Sequence, residues 1–309
     1  MDVMRNLLNT QITMLVLMMA GFVMSKRKLL SVEFRKAMTD FVMNFILPCN
    51  IIKSFLMEFN VGILRDCLAV CIVSTVTQVL TFLLGKAVYR RMDAERQPAL
   101  RFATMVSNAG FLGNPIVEGL FGAQGLLYNS VYLIPQRIAS WSVGVTCFTG
   151  NRGKGVIRRT LTHPCIVAVG IGLVLMLTQV TLPVWIQRPL ELAGGCNTAL
   201  SLIVIGQILA EADPRSMIST DALYFCLIRL AVIPLLVMAG CMAAGVDRLV
   251  LETTTVLAGM PAPLTAAMLA SKYEKDEKFA VSMVFLSTIL SVATIPALCL
   301  IMMGLSGSM

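Results

Sequence analysis

Apolar residues follow one another in stretches of about 20 along the whole chain, each long enough to cross a ~30 Å hydrocarbon layer as a helix. Short polar and charged interruptions separate them. The pattern predicts ten spans, at roughly 8–25, 37–57, 67–88, 99–121, 126–148, 164–182, 189–209, 221–242, 251–271 and 278–303. The connections leave no room for a soluble domain, and none is of low complexity. The short alternating strands of a transmembrane barrel do not occur in the pattern. The first stretch is not read as a signal peptide, because the basic cluster Lys26, Arg27, Lys28 follows the apolar run Ile12–Met24 instead of preceding it. The expected fold class is an all-α membrane bundle.

Two of the spans are broken in the same way. Span four carries Asn108-Ala109-Gly110-Phe111-Leu112-Gly113-Asn114-Pro115, and span nine carries Gly259-Met260-Pro261-Ala262-Pro263. Proline removes a backbone donor and clashes with the preceding turn. Each break is the fourth span of its half. Five spans per half is an odd number, so the second half runs through the membrane upside down relative to the first. The halves are residues 1–150 and 151–309, two inverted five-helix repeats with broken crossover helices 4 and 9. Interrupted helices at matching positions of inverted halves point to a transporter site.

Composition and charge sharpen this picture. Charged residues make up 14% of the chain and hydrophobic ones 57%, with mean hydropathy +0.81; a soluble domain carries roughly 25% charged residues. With the N-terminus outside, only Arg5, Lys53, Arg65, Arg188 and Arg248 of the 25 Lys and Arg residues fall on outer segments. Arg137 and Arg229 fall within spans, and the others, Lys154 and Arg215 among them, fall on inner ones. The positive-inside bias therefore puts both termini outside. It also accounts for the net charge of +8 without a nucleic-acid partner, through attraction to anionic lipid headgroups.

Enzyme and metal chemistry find no support. The nine cysteines form no C-x-x-C pair and lie in apolar runs as small hydrophobes. His163 is the single histidine, too few for a zinc site. There is no G-x-S-x-G and no H-E-x-x-H, and the glycine-rich Gly150–Gly155 segment is a basic inner loop. No cofactor or metal is expected, and coupling to sodium or protons is left open.

The candidate substrate-binding residues gather at the breaks: Asn108, Gly110, Gly113, Asn114 and Pro115 in span four, and Gly259, Pro261 and Pro263 in span nine. In hydrocarbon, the freed amides and carbonyls need protein or a wet cavity; the competing reading is a plain kink. Arg137, next to Gln136 in mid-span five, is either an anion ligand or a packing residue bonded to freed carbonyls. Arg229, two turns from the inner end of span eight, is read as snorkelling outward. Asn44, Asn50, Asn197, Ser201 and Gln207 either face the same cavity or join helices. Asp40, Glu118 and Asp221 lie near span ends. No carboxylate sits at mid-membrane, which argues against a sodium–proton antiporter.

The chain resembles the auxin efflux carrier family, which includes bacterial malate and malonate permeases and the related plant PIN auxin carriers. The resemblance rests on Phe45-Ile46-Leu47-Pro48, Ser107 through Pro115, Trp141-Ser142-Val143-Gly144, Ile205-Gly206, Met260-Pro261 through Ala270-Ser271-Lys272-Tyr273, and Ser287-Thr288-Ile289-Leu290 with Ile295-Pro296. It covers essentially the whole chain. It implies a scaffold of spans one, two, six and seven, a moving transport domain of spans three to five and eight to ten, and a homodimer. The run Pro261-Ala262-Pro263 departs from the family's Pro-x-Ala, and Ala199 stands where a proline is common. The implied activity is elevator-type secondary transport of a small organic anion, a dicarboxylate or auxin-like carboxylate, across the cell membrane. The alternatives are a sodium-coupled organic-anion symporter of the bile-acid type and a receptor or sensor that keeps the pocket without transporting.

Overall fold

The computed structural model describes residues 2–56, 61–149, 162, 164–211 and 219–306. His163 and Gly150, Arg152, Lys154, Arg158, Arg159 and Arg215, which the sequence assigns to inner loops, lie outside the described residues. All regular structure in the described part is helical. Four helical segments are long and apolar enough to cross a membrane: Gly62–Val88, Val184–Gln207, Thr220–Ala244 and Glu277–Gly304. Leu15–Lys26 and Pro164–Thr178 are shorter apolar helices. The molecule is a multi-pass helical membrane protein.

Its helices are partly inside out. On α4 (Val61–Val88), Leu68, Ile72, Val79 and Leu83 are exposed, while Ser74, Thr77, Gln78 and Thr81 are buried. A soluble helix has the opposite arrangement. The buried hydroxyls settle on carbonyls, Thr77 and Thr81 on their own helix and Ser74 on Tyr132 across the bundle at 2.7 Å.

Proline placement explains most of the irregular helix. Wide π turns cover Val42–Ile46, Ala109–Gly113 and Ile228–Val232. A proline stands two residues after each, Pro48 in α3 (Leu47–Phe55), Pro115 in α6 (Asn114–Ala139) and Pro234 in α12 (Ile233–Ala244), whereas a further π turn at Ser140–Gly144 has none. Proline has no N–H and its ring crowds the carbonyl one turn back. The preceding turn relaxes by bonding one residue further, as in Leu47 N–H to Val42 O and Ile233 N–H to Ile228 O. α6 itself bends at Gly122, whose φ of 64° and ψ of −153° suit glycine alone.

Two packing groups emerge. α1 (Asp2–Lys26) lies along α10 (Asn197–Glu211), and α3 lies against α8 (Pro164–Thr178) and α9 (Val184–Gly195). The α1–α10 crossing is a backbone contact: a Cβ on Gly206 would stand 1.9 Å from Met18 O, and one on Gly21 2.1 Å from Ile203 O. Small residues of this kind let membrane helices touch closely. The second group comprises α4, α5 (Gln97–Met105), α6, α11 (Thr220–Leu227), α12, α13 (Arg248–Ala258), α14 (Leu264–Lys272) and α15 (Glu277–Ser306). An apolar cluster that includes Phe102, Met105, Phe148, Phe225, Ala266 and Met283 belongs wholly to this second group and to the short helix Val145–Thr149. At one end Arg96 ties the group together, bonding Asp221 at 2.9 Å and Asp276 at 3.1 Å, beside the Lys275–Glu95 pair at 3.1 Å. The bonds to Asp221 and then Asp276 raise the Arg96 pKa above its ordinary value.

Candidate functional site

The two sequence breaks meet in space. α5 ends at Met105, and the chain runs extended through Val106 before the π turn Ala109–Gly113 starts a new helix. α13 ends at Ala258, and Gly259–Pro263 are non-helical before α14 begins. The Asn108 N–H donates to Pro261 O at 2.9 Å, joining the unwound segments directly. Prolines 261 and 263 cannot donate, so this stretch offers carbonyls with few amides to match them. The Ala262 N–H is taken by Ser287 Oγ of α15 at 3.1 Å.

Side chains of the second half of α6 hold the first break. Gln136 Nε2 donates to Ser107 O at 2.8 Å, and Ser107 Oγ donates to Gln136 Oε1 at 2.9 Å. Both polar atoms of Gln136 are thus engaged inside the protein. Asn129 Nδ2 donates to Ala109 O at 2.8 Å and to Asn114 Oδ1 at 2.6 Å. Asn114 Nδ2 is buried and without a hydrogen-bond partner. The Asn108 side chain is half-buried, and its amide has no partner among the described residues.

Arg229 is a correction. Position along span eight predicts a side chain that snorkels to the surface; the structure buries it to 1% exposure. Its Nη1 donates to Thr104 O at 2.9 Å and its Nε to Met260 O at 3.0 Å. The π turn Ile228–Val232 sets the helix rotation at this point, so that counting turns from the span end misjudges the direction. Asn44 is also corrected: it is exposed and bonds the Asp40 carbonyl of its own helix at 2.8 Å.

Arg137 is half-buried beside the first break, with Nη2 3.9 Å from where a Gly110 Cβ would lie. It lines a narrow crevice, with no room for a water molecule, together with Ile134 of its own helix, Ile51 of α3, and Cys165 and Val169 of α8. The cleft thus runs between the two packing groups. Asn50, Asn197 and Ser201 are buried on helices of the first group. The Gly194 backbone presses on Asn50, and Ser201 Oγ bonds Asn197 Oδ1 at 3.4 Å. Both polar atoms of Asn50 and the Nδ2 of Asn197 lack protein partners. α10, which carries Asn197, packs against the Ala109–Gly113 turn.

The remaining predicted residues, Gly113, Asn114, Pro115 and Gly259, sit around the same crossing. A Gly113 Cβ would come within 3.0 Å of Leu257, and a Gly259 Cβ within 2.7 Å of Leu298. Sequence reasoning missed Asn129, Ser107, Thr104 and Ser287 as parts of the site. Asn129, a full amide in an apolar stretch, was the available signal.

The electrostatics follow from the helix ends. The C-termini of α5 and α13 face the Arg229 guanidinium through Thr104 O and Met260 O. The new helices that start beyond the breaks turn their N-terminal ends, each like about half a positive charge, back toward the crossing. Such ends accept anions.

Comparison with known proteins places the chain among membrane transporters. The family described as "Membrane transport protein" matches residues 7–299. An "Uncharacterized transporter" of Methanothermobacter thermautotrophicus is 25% identical over 305 residues, covering 93% of this chain and 95% of the relative. Another "Uncharacterized transporter", of Methanocaldococcus jannaschii, is 23% identical over 300 residues, with coverage of 91% and 94%. A "Putative malonate transporter" of Rhizobium meliloti is 20% identical over 237 residues, with coverage of 73% and 74%. The chain belongs to this membrane transport protein family, that of the auxin efflux carriers.

Proposed function

We propose that the chain is a secondary transporter that moves a small organic anion, a dicarboxylate of the malonate type, across the cell membrane by alternating access. The ten predicted spans are then two inverted repeats, residues 1–150 and 151–309, with both termini outside. α1, α3 and α8–α10 form the scaffold. The second packing group is the transport domain and carries the crossing past it in an elevator movement.

One observation carries this reading: the unwound segments of two separate helices meet at the Asn108–Pro261 hydrogen bond. Paired discontinuous helices with converging ends are the ion- and substrate-binding device of inverted-repeat transporters. Three further features support it. The half-buried Asn108 side chain has no hydrogen bond among the described residues. Arg137 stands at the junction of the two groups beside Gly110 of the first break, and a guanidinium there suits a carboxylate once the groups move apart. One apolar cluster and the Arg96 ion pairs lie wholly within the proposed moving helices, while a second cluster, with Leu47, Ile51, Leu127 and Val169, packs them on the scaffold. The choice of malonate comes from the printed name of the Rhizobium meliloti relative.

Uptake of radiolabelled malonate into proteoliposomes tests the proposal. The expected result is saturable uptake, accelerated by malonate inside, and lost in Asn108→Ala protein that melts at the wild-type temperature. Malonate binding without counterflow would assign a sensor role instead.

A further inference from the structure

Arg229 is the one charged side chain among the described residues that is fully buried. No carboxylate lies within ion-pair distance of it among those residues. Its partners are two backbone carbonyls, and both are carbonyls that the breaks set free. In a continuous helix Thr104 O would accept from the N–H of Asn108, four residues on. That N–H goes to Pro261 O instead, and Arg229 Nη1 takes its place at 2.9 Å. Met260 O belongs to the unwound Gly259–Pro263 segment and receives Nε at 3.0 Å. The guanidinium therefore bridges the C-terminal ends of α5 and α13, each like about half a negative charge.

Freed carbonyls at half-helix C-terminal ends are the groups with which broken-helix carriers hold a coupling sodium ion. Here a side chain occupies them. Arginine does not lose its proton in proteins and offers five donors in a rigid fork, so it satisfies carbonyls from two helices at once. We propose that Arg229 is a tethered counter-cation, filling at the crossing the place that a coupling sodium ion would take, so that this chain carries its anion without sodium. The inference rests on the crossing being the transport site. It follows that no ion has to enter or leave for the two breaks to keep their shape. Uptake is then driven by the gradient of the anion itself or by exchange for another anion.

The test uses the purified full chain, with sodium chloride replaced by choline chloride at constant ionic strength. Wild-type melting temperature and malonate uptake are expected to be the same in both salts. A saturable rise of either with sodium overturns the proposal. Arg229→Ala is expected to melt about 10 °C lower, as two buried carbonyls lose their donors. Millimolar methylguanidinium or sodium should restore most of that loss, and choline none of it. Arg229→Gln, which is shorter and uncharged but keeps one donor group, serves as the second variant with the same expected response. If neither variant responds to any small cation, Arg229 is only a packing residue and the proposal is wrong. Cation rescue of melting, together with malonate uptake that Asn108→Ala leaves intact, would keep the counter-cation and remove the transport-site reading.

Discussion

Asn129→Ala is the substitution whose cost can be worked most directly from the structure. Asn129 is fully buried and supplies donors to two acceptors at once, Ala109 O at 2.8 Å and Asn114 Oδ1 at 2.6 Å. Ala109 is also fully buried. Two magnitudes compete. Polar contacts between membrane helices average only about 0.6 kcal/mol, because the unfolded chain in the bilayer finds other partners. A buried acceptor left with no donor costs about 1–3 kcal/mol. The second applies here, since the break deprives these groups of helical partners and alanine brings no replacement. Two such acceptors give about 2–6 kcal/mol, or a melting temperature lower by about 5–20 °C. The assay is thermal denaturation of purified protein in detergent, with Asn129→Gln as a variant that retains the donors. A wild-type melting temperature for Asn129→Ala would refute the claim that this amide holds the broken helix. The same network means that Asn114→Ala takes one of its two acceptors from the Asn129 amide and lowers stability as well, so it is a poorer transport probe than Asn108→Ala.

Gly206→Val should cost about 3 kcal/mol or more, the upper end of overpacking, because its Cβ would meet the Met18 backbone carbonyl at 1.9 Å. Gly240→Ala, with nothing within 4 Å, should leave melting unchanged in the same experiment. Gly122→Ala forces an L side chain to φ 64° and ψ −153°, and should destabilise by about 1–3 kcal/mol in a denaturation series. Arg137→Lys keeps the charge and loses the fork; the malonate KM in proteoliposomes should rise, and an unchanged KM would exclude Arg137 as an anion ligand.

Much of the helical layout was legible because lipid-facing helices are written in long apolar stretches. The breaks were legible too, since Gly110, Gly113, Pro115, Pro261 and Pro263 disrupt helix by their backbone chemistry alone. The π turns could have been foreseen at Pro48, Pro115 and Pro234, where each missing N–H widens the turn before it. Arg229 was misread because its direction depends on helix rotation, which one wide turn resets. Burial of Arg229 also depends on Thr104, 125 residues away in sequence, a partner that no local pattern reveals. Asn50 and Asn129 look alike in sequence, each an amide in an apolar stretch. Tertiary packing sets one against the Gly194 backbone and gives the other two acceptors.

The central claim, that the crossing of the two breaks is an anion site open to each side in turn, is tested most directly by labelling a cysteine placed in it. Gly110 is the suitable position, because an added Cβ meets nothing closer than 3.9 Å. Gly110→Cys, in a chain whose nine native cysteines are replaced, is treated with a membrane-impermeant maleimide applied from one face of the membrane or the other. The account predicts labelling from both faces and protection by malonate at either. Labelling from one face only, at a rate malonate does not change, would contradict it.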